Sequence, residues 1–544
     1  MPATGRTRRA PAGPRGGLGL DDRDTLDDLG VPDAPDVSGT PGAPGAADDP
    51  GGAVPARRPR QGAHSLPYHH RWIELARAGE YTRTGLIGPQ TEKRIRQAVL
   101  ALPLVAADGA AGGAKGDAAG ATAAVAPDPL SALEACVRSR LPDDVRVRYD
   151  APVRDDVRAC AWLMRGRERL LETVTALSRL SRASLEAAAR HTGSVMPGCP
   201  RRGNRPAQAM TFGFYLAALA EATAGAAESL QASFDAVNLC PLGAGVMTGL
   251  EAPLDRHRLA VALGFDGPQP HALTSAVSGA WVLRSAAELS VLATTLNRFL
   301  NDLIRWAGPG LRFIGPPDAP AGPSHTGSSP AGSSTGPHAP GAPVLERTRD
   351  LARHLTGLSY EIVAAQGDLG HTDPEGIGGE GGEAAEELFT TCGTMLALFE
   401  RVVTDVRFHP EPASRAVRDE PAAVSAVTGH LVLEHGVPEG TARAVVDAWS
   451  ASAGALSAAG LVAAGERFGL ALDVGQDEVR ELLDPEAGVR RKRTAGSTGP
   501  EHVLLLLEQV GDRLAAVDRG SAQRSGWLRE AWDHTVGTGA GGTS

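Results

Sequence analysis

The sequence predicts an all-α protein built on a bundle of long helices. Three observations carry that expectation: apolar residues recur at helical steps in three long stretches, no run alternates with period two long enough to demand a sheet, and rings are scarce among the apolar residues. From Leu163 onward, Leu170, Val174, Leu177 and Leu185 fall on one side of a helix. A second stretch reads Tyr215, Leu219, Ala222, Ala226, Leu230, Phe234 and Val237 in steps of four and three. The third carries Leu289, Leu292, Leu296, Phe299, Leu303 and Trp306, the alternating three and four spacing of a seam that packs nearly antiparallel against neighbours. Of 544 residues 42% are apolar but only 4% aromatic, so the core is expected from Leu, Val and Ala, which suit closely packed helices.

Charge and cysteine content narrow the class. The chain holds 54 Lys or Arg against 64 Asp or Glu, a formal charge of −10, which argues against nucleic acid as a partner. Its five cysteines, Cys136, Cys160, Cys199, Cys240 and Cys392, form no C-x-x-C pair and are odd in number. Neither a disulfide framework nor a zinc site is indicated. The 15 histidines show no H-x-x-x-H or H-E-x-x-H pair, so a metal site would have to be assembled from distant positions. No phosphate-cradling loop of the G-x-x-x-x-G-K-[ST] kind occurs, and no cofactor is expected. No window reaches the roughly 18 apolar residues of a membrane span, and the N-terminal stretch has arginines without an apolar segment for export. A cytoplasmic protein with no membrane partner is the expectation.

Glycine (67) and proline (40) make up about a fifth of the chain and cluster. Residues 1–65 are rich in Pro, Gly, Ala and Asp without an apolar period, and read as a disordered arm. Similar inserts run at about 106–126, 315–343 and 367–382. They divide the rest into an N-terminal helical domain over 66–157, a central long-helix bundle over 158–405, a C-terminal helical domain over 406–520, and a tail over 521–544.

One stretch is too particular for helix packing alone. Asn238-Leu-Cys-Pro-Leu-Gly-Ala-Gly-Val-Met-Thr-Gly249, followed by Ala252-Pro-Leu-Asp-Arg256 and Leu263-Gly-Phe265, resembles argininosuccinate lyase of the fumarase and aspartase superfamily. Leu483-Asp-Pro-Glu-Ala-Gly-Val489, Gly496-Ser-Thr-Gly-Pro-Glu-His-Val503, Gly436-Val-Pro438 and Asp128-Pro-Leu-Ser-Ala-Leu-Glu134 extend the likeness over about 66–514. The resemblance implies a three-domain all-α fold with a central long-helix bundle. It also implies a homotetramer whose subunits share sites, and a small-molecule substrate. The implied reaction removes a proton beside a carboxylate, passes through a dianionic aci-carboxylate, and expels an amine or amidine while fumarate forms. Such an intermediate needs cations and hydrogen-bond donors on its carboxylates, a base at carbon, and a proton for the leaving nitrogen.

The site segments compare residue by residue as follows. The S-R-N-D-Q segment falls on Val153-Arg154-Asp155-Asp156-Val157, which keeps Arg154 and Asp156 but places Asp155 where a substrate-contacting Asn stands. A carboxylate about 4 Å from a substrate carboxylate costs on the order of 1–4 kcal/mol in screened surroundings, which disfavours a dianionic substrate. The P-G-Y-T-H-L-Q segment begins at Met196-Pro-Gly-Cys199, with its Thr and His falling near Pro200 and Arg201. Arginine stays protonated, so Arg201, with Arg202 and Arg205, can hold an anion but cannot relay a proton as imidazole does. The catalytic-serine loop aligns with Gly332-Ser-Ser-Thr-Gly-Pro-His-Ala-Pro-Gly-Ala-Pro-Val-Leu-Glu346 and puts Ser333 in the serine position, Ser328 being the alternative register. Its lysine becomes Ala339 and its asparagine Gly341, which removes a charge that would activate the serine. A fourth segment, at Gln366 to Ile377, lacks the family's tyrosine and glutamine, and the D-R-D after Ala276-Val-Ser278 is absent.

These residues give the expected site: Ser333 as catalytic base, with Arg154, Asp155, Asp156, Arg201 and Asn238 binding substrate. The expected function is a carbon–nitrogen lyase of the argininosuccinate lyase kind with altered catalytic motifs, linked by that resemblance to arginine biosynthesis. Two alternatives stay open at this point: a catalytically impaired helical oligomer serving as scaffold or regulatory partner, and a lyase retuned for a specialised-metabolism substrate.

Overall fold

The computed structural model describes residues 66–102, 129–141, 143, 154–198, 208–277, 279–315, 342–368, 370–371, 380–418, 422–452 and 456–537. The expected arm, most of the three inserts, Ser333, Ser328 and Arg201 lie outside these residues.

Helices α1 (Leu66–Arg83), α2 (Pro89–Ala101) and α3 (Pro129–Arg138) form a small N-terminal cluster. Its core is Leu75, Ala78, Tyr81, Ile95, Val99 and Leu133. Helix α4 (Arg154–Arg190) then runs for 37 residues without a break. At 1.5 Å per residue it spans about 55 Å. A short antiparallel pair, β1 (Val195–Pro197) with β2 (Ala209–Thr211), turns the chain into α5 (Phe212–Val237). The Thr211 hydroxyl caps α5 by accepting from the Phe214 N–H at 3.1 Å.

The return from α5 passes through β3 (Leu239–Cys240), α6 (Arg256–Ala262), β4 (Gly267–Pro268) and α7 (Ala272–Val277), with β3 and β4 parallel. Three further long helices complete the bundle: α8 (Ala280–Ala307), α9 (Ala342–Gly367) and α10 (Glu380–Asp405). β5 (Ile314–Gly315) and β6 (Arg407–Phe408) pair antiparallel at one end. Helices α11 (Pro410–Arg418), α12 (Ala422–Leu433), α13 (Glu439–Ser450), α14 (Ala458–Arg467), α15 (Gln476–Leu483) and α16 (Pro485–Arg490) follow. Val427, Leu431, Val445, Trp449, Leu461 and Val479 form a separate core within this group. α17 (Pro500–Gly537) closes the described chain.

The three periodic stretches are α4, α5 and α8, as expected. On α8, Leu289, Leu292, Leu296 and Leu303 are buried, while Phe299 is half-buried against Tyr215. On α5 the buried stripe is Leu216, Ala220, Ala224, Ala227, Leu230 and Phe234, shifted from the expected Ala222 and Ala226, which are half-buried. Alanines on both sides let α5 contact α4, α8 and α17 at once, and an even spread of small residues gives no sharp stripe to read.

Residues 521–537, expected as tail, are instead the second half of α17. Leu528, Ala531 and Trp532 pack onto the main core, and the Trp532 ring sits 4.6 Å from that of Tyr68 and 5.4 Å from that of Trp72. Glycines and charged residues between these positions mask the periodicity.

Two tryptophans lock the bundle through absent side chains. Trp162 covers Gly382 of α10, and Trp281 covers Gly166 of α4. A Cβ at either glycine would lie 2.2–2.4 Å from ring carbons. We expect Gly382→Ala to lower stability by about 1–3 kcal/mol through overpacking. Gly393→Ala, on the same helix with nothing within 4 Å, should be neutral or stabilising by up to about 1 kcal/mol. Urea unfolding of the two variants checks the contrast.

Candidate active site

The start of α4 meets the glycine turn that leaves α5. Asp156 is fully buried, and its Oδ2 accepts from the Gly243 N–H at 2.8 Å and the Gly245 N–H at 3.1 Å. Gly243 and Gly245 have φ of +85° and +62°, a region L side chains rarely adopt, so both N–H groups can converge on one oxygen. Burial pushes the Asp156 carboxyl up to about 6, against the opposing pull of the Arg77 charge and the glycine N–H groups. Arg77 is held in turn by Glu74 at 2.5 Å and donates to the Tyr81 hydroxyl at 2.8 Å.

Asn238 anchors the other side of the same turn. Its Oδ1 accepts from the Arg167 guanidinium at 2.7 Å. Arg167 also donates to the carbonyls of Gly264 at 2.8 Å and Leu263 at 3.0 Å, and lies 3.7 Å over the Phe265 ring. Only 1% of Arg167 is exposed, and burial lowers its pKa to about 10. Arg256 finishes the clamp by donating from Nε to the Leu242 carbonyl at 3.0 Å. Asp255 caps α6 beside it, accepting from the N–H groups of His257 and Arg258.

Asp155 is half-buried in the first turn of α4, and Arg154 opens that helix. A cavity beside the turn is lined by Trp162, Pro241, Gln269, Ser275, Trp281 and Gln366. Arg154, Asp155, Asp156, Asn238 and the first residue of the fourth segment, Gln366, therefore share one end of the bundle. Asp156 holds the turn through Oδ2 while its buried Oδ1 makes no hydrogen bond, and Asn238 holds Arg167 through Oδ1.

The opposite end holds the second segment. The β1–β2 neck is closed by the Gly198 N–H donating to the Gln208 carbonyl at 2.6 Å and brackets 199–207, the stretch that carries Arg201. The Thr211 N–H donates to the Thr498 hydroxyl at 2.9 Å, which ties the neck to the Gly496-Ser-Thr-Gly segment. Phe212 stacks on Phe408 at 5.5 Å and meets the Trp306 ring edge-on at 6.3 Å. Ile314 and Gly315, paired with β6 here, lead into the stretch that carries Ser333.

The described flanks of the second set are thus separated from the start of α4 by about its length, roughly 55 Å. Sequence reading missed Arg167: it lies in a run of arginines and glutamates, Arg165-Gly-Arg-Glu-Arg169, that reads as a solvated helix face. No signal in the chain marks which of these charges is buried.

A bundle of long helices with polar clusters at its ends is a fold this chain shares with lyases of known structure. The family described as "Lyase" matches residues 154–338. A solved structure of EDDS lyase in complex with formate superposes with a TM-score of 0.68 at 19% identity, covering 88% of this chain and 93% of that one. Argininosuccinate lyase of Natronomonas pharaonis is 29% identical over 416 residues, 75% of this chain and 80% of the relative. Argininosuccinate lyase of Chromobacterium violaceum is 30% identical over 358 residues, 65% of this chain and 73% of the relative. The chain belongs to the argininosuccinate lyase family.

The buried carboxylate gives a pH test. The Asp156 pKa is higher folded than unfolded, so its contribution favours the fold below about 4 and is lost as pH rises through about 6. Between those limits Asp156→Asn should remove a stability slope worth on the order of 3 kcal/mol. Asp156→Ala orphans two buried N–H groups and should cost about 2–4 kcal/mol across the range. Urea midpoints of the three proteins from pH 4 to 7 decide this.

Proposed function

We propose that this chain cleaves the carbon–nitrogen bond of an N-substituted succinate by β-elimination, with Ser333 as base and with Arg154, Asp155 and Arg201 facing the substrate. The observation that carries the shared-site part of this reading is the opposite placement of the segments. Arg154 and Asp155 stand at one end of α4, and the flanks of the Ser333 and Arg201 stretches stand at the other. Within one protomer Arg154 and Asp155 lie at the far end of α4 from the flanks of the Ser333 stretch, so a site that uses all three draws on more than one copy. A homotetramer whose rods lie antiparallel supplies it.

In the reaction, Ser333 acts as its oxyanion and accepts the proton from the carbon next to a carboxylate, which restores the hydroxyl. The electron pair is held as an aci-carboxylate and then forms the double bond of fumarate as the carbon–nitrogen bond breaks. The nitrogen leaves with the bonding pair and takes up a proton as amine or amidine. Arg154 and Arg201 are the permanent cations suited to the two carboxylates, since neither can lose its charge near neutral pH. Asp155 adds a negative charge at the binding end, which favours substrates with a cationic group there over the plain dianion.

Two variants test the reading together. Ser333→Ala should lower fumarate release from argininosuccinate and other N-linked succinates by at least about 100-fold, followed by ultraviolet absorbance. Arg154→Ala should be similarly impaired. Unfolding, mixing and refolding the two inactive proteins should restore part of the activity, because some sites then receive an intact Arg154 from one copy and an intact Ser333 from another. Undiminished activity of Ser333→Ala refutes the base, and no recovery on mixing refutes the shared site.

A further inference from the structure

Near the β1–β2 neck, the C-terminal helical group brings together three metal-ligating side chains. His430 lies in the last turn of α12, His435 in the turn that follows, and Glu478 in the first turn of α15. One ligand atom from each falls within 4.8 Å of the others. His430 Nε2 stands 2.8 Å from Glu478 Oε1, yet this buried nitrogen makes no hydrogen bond. The His430 and His435 rings meet edge-on with centroids 5.2 Å apart.

We propose that His430, His435 and Glu478 form a binding site for a divalent transition ion of the zinc or cobalt class. Two imidazoles and one carboxylate are a donor set such ions accept, with a fourth position left for water. Ligand distances of about 2.0–2.2 Å put tetrahedral ligand atoms about 3.4 Å apart. The His430–Glu478 pair opens slightly to reach that spacing and His435 closes toward it. Both movements are small for side chains that are half-buried at the surface.

The supporting groups are already fixed. Glu478 Oε2 accepts from the Gly475 N–H at 3.3 Å, which orients the carboxylate. The turn bearing His435 is held by the Glu434 N–H on the His430 carbonyl at 2.8 Å and the Val437 N–H on the Leu431 carbonyl at 3.0 Å. A bound ion would fasten the end of α12 to the start of α15, two helices otherwise joined through the apolar core of Val427, Leu431 and Val479. His430 also lines a cavity shared with Gln208 and Arg491, so the ion would stand beside the residues that lead to the Arg201 stretch.

Titrating the chelator-treated full chain with Co2+ tests the site independently of catalysis. One ion per chain should bind with the intense visible bands of tetrahedral cobalt. His435→Ala and Glu478→Gln, which leave the apolar core intact, should each weaken binding by more than about tenfold. Zn2+ should displace the cobalt and raise the melting temperature of the parent but not of either variant. Weak octahedral bands, or equal affinity in parent and His435→Ala, overturn the proposal and leave His430 and Glu478 as an ion pair only.

Discussion

A helix of 37 residues cannot fold back on itself, and that constraint governs the rest of this molecule. α4 fixes the distance between its ends, and α5, α8, α9 and α10 lie alongside it. What the chain places at the start of α4 therefore stays far from what it places after its end. The middle is filled mainly by Leu, Val and Ala, and hydroxyls buried there, such as Ser181 and Thr223, bond to backbone carbonyls.

The ends are shaped by buried charges that answer to backbone groups. Asp156 gathers two glycine N–H groups, and Arg167 gathers two carbonyls and an amide oxygen. Each charge is taken out of water at a real penalty, so each holds its turn only while all its partners are present. The result is a rigid irregular connection from α5 to α8. Arg165 and Arg169 on α4 do similar work on the outside, both pairing with Glu386 of α10.

How much was legible in the sequence follows from what each residue does. The seam Leu289 to Trp306 is read directly, because a period of 3.6 residues has one structural meaning. The glycines at 243 and 245 lie in the stretch that carries the family resemblance, and that resemblance implies a turn between two bundle helices there. That Asp156 serves this turn was not legible, because a carboxylate at a helix start looks the same whether it faces a ligand or a buried N–H. The second half of α17 was hidden by polar residues whose neighbours come from α1, far away in the chain. The site could be read only as separate segments, since a single sequence does not say which ends of the long helices meet.

The C-terminal helix carries a consequence for how the protein is made. Arg96 donates to the Thr535 carbonyl at 2.6 Å, a partner 439 residues further along, and the Thr535 hydroxyl and the Trp72 indole both donate to the Ala262 carbonyl. Helices α1 and α2 thus keep part of their apolar surface uncovered during translation until Thr535, 439 residues after Arg96, has been made. Vectorial synthesis can shape α1 and α2, but α17 is needed to seal them.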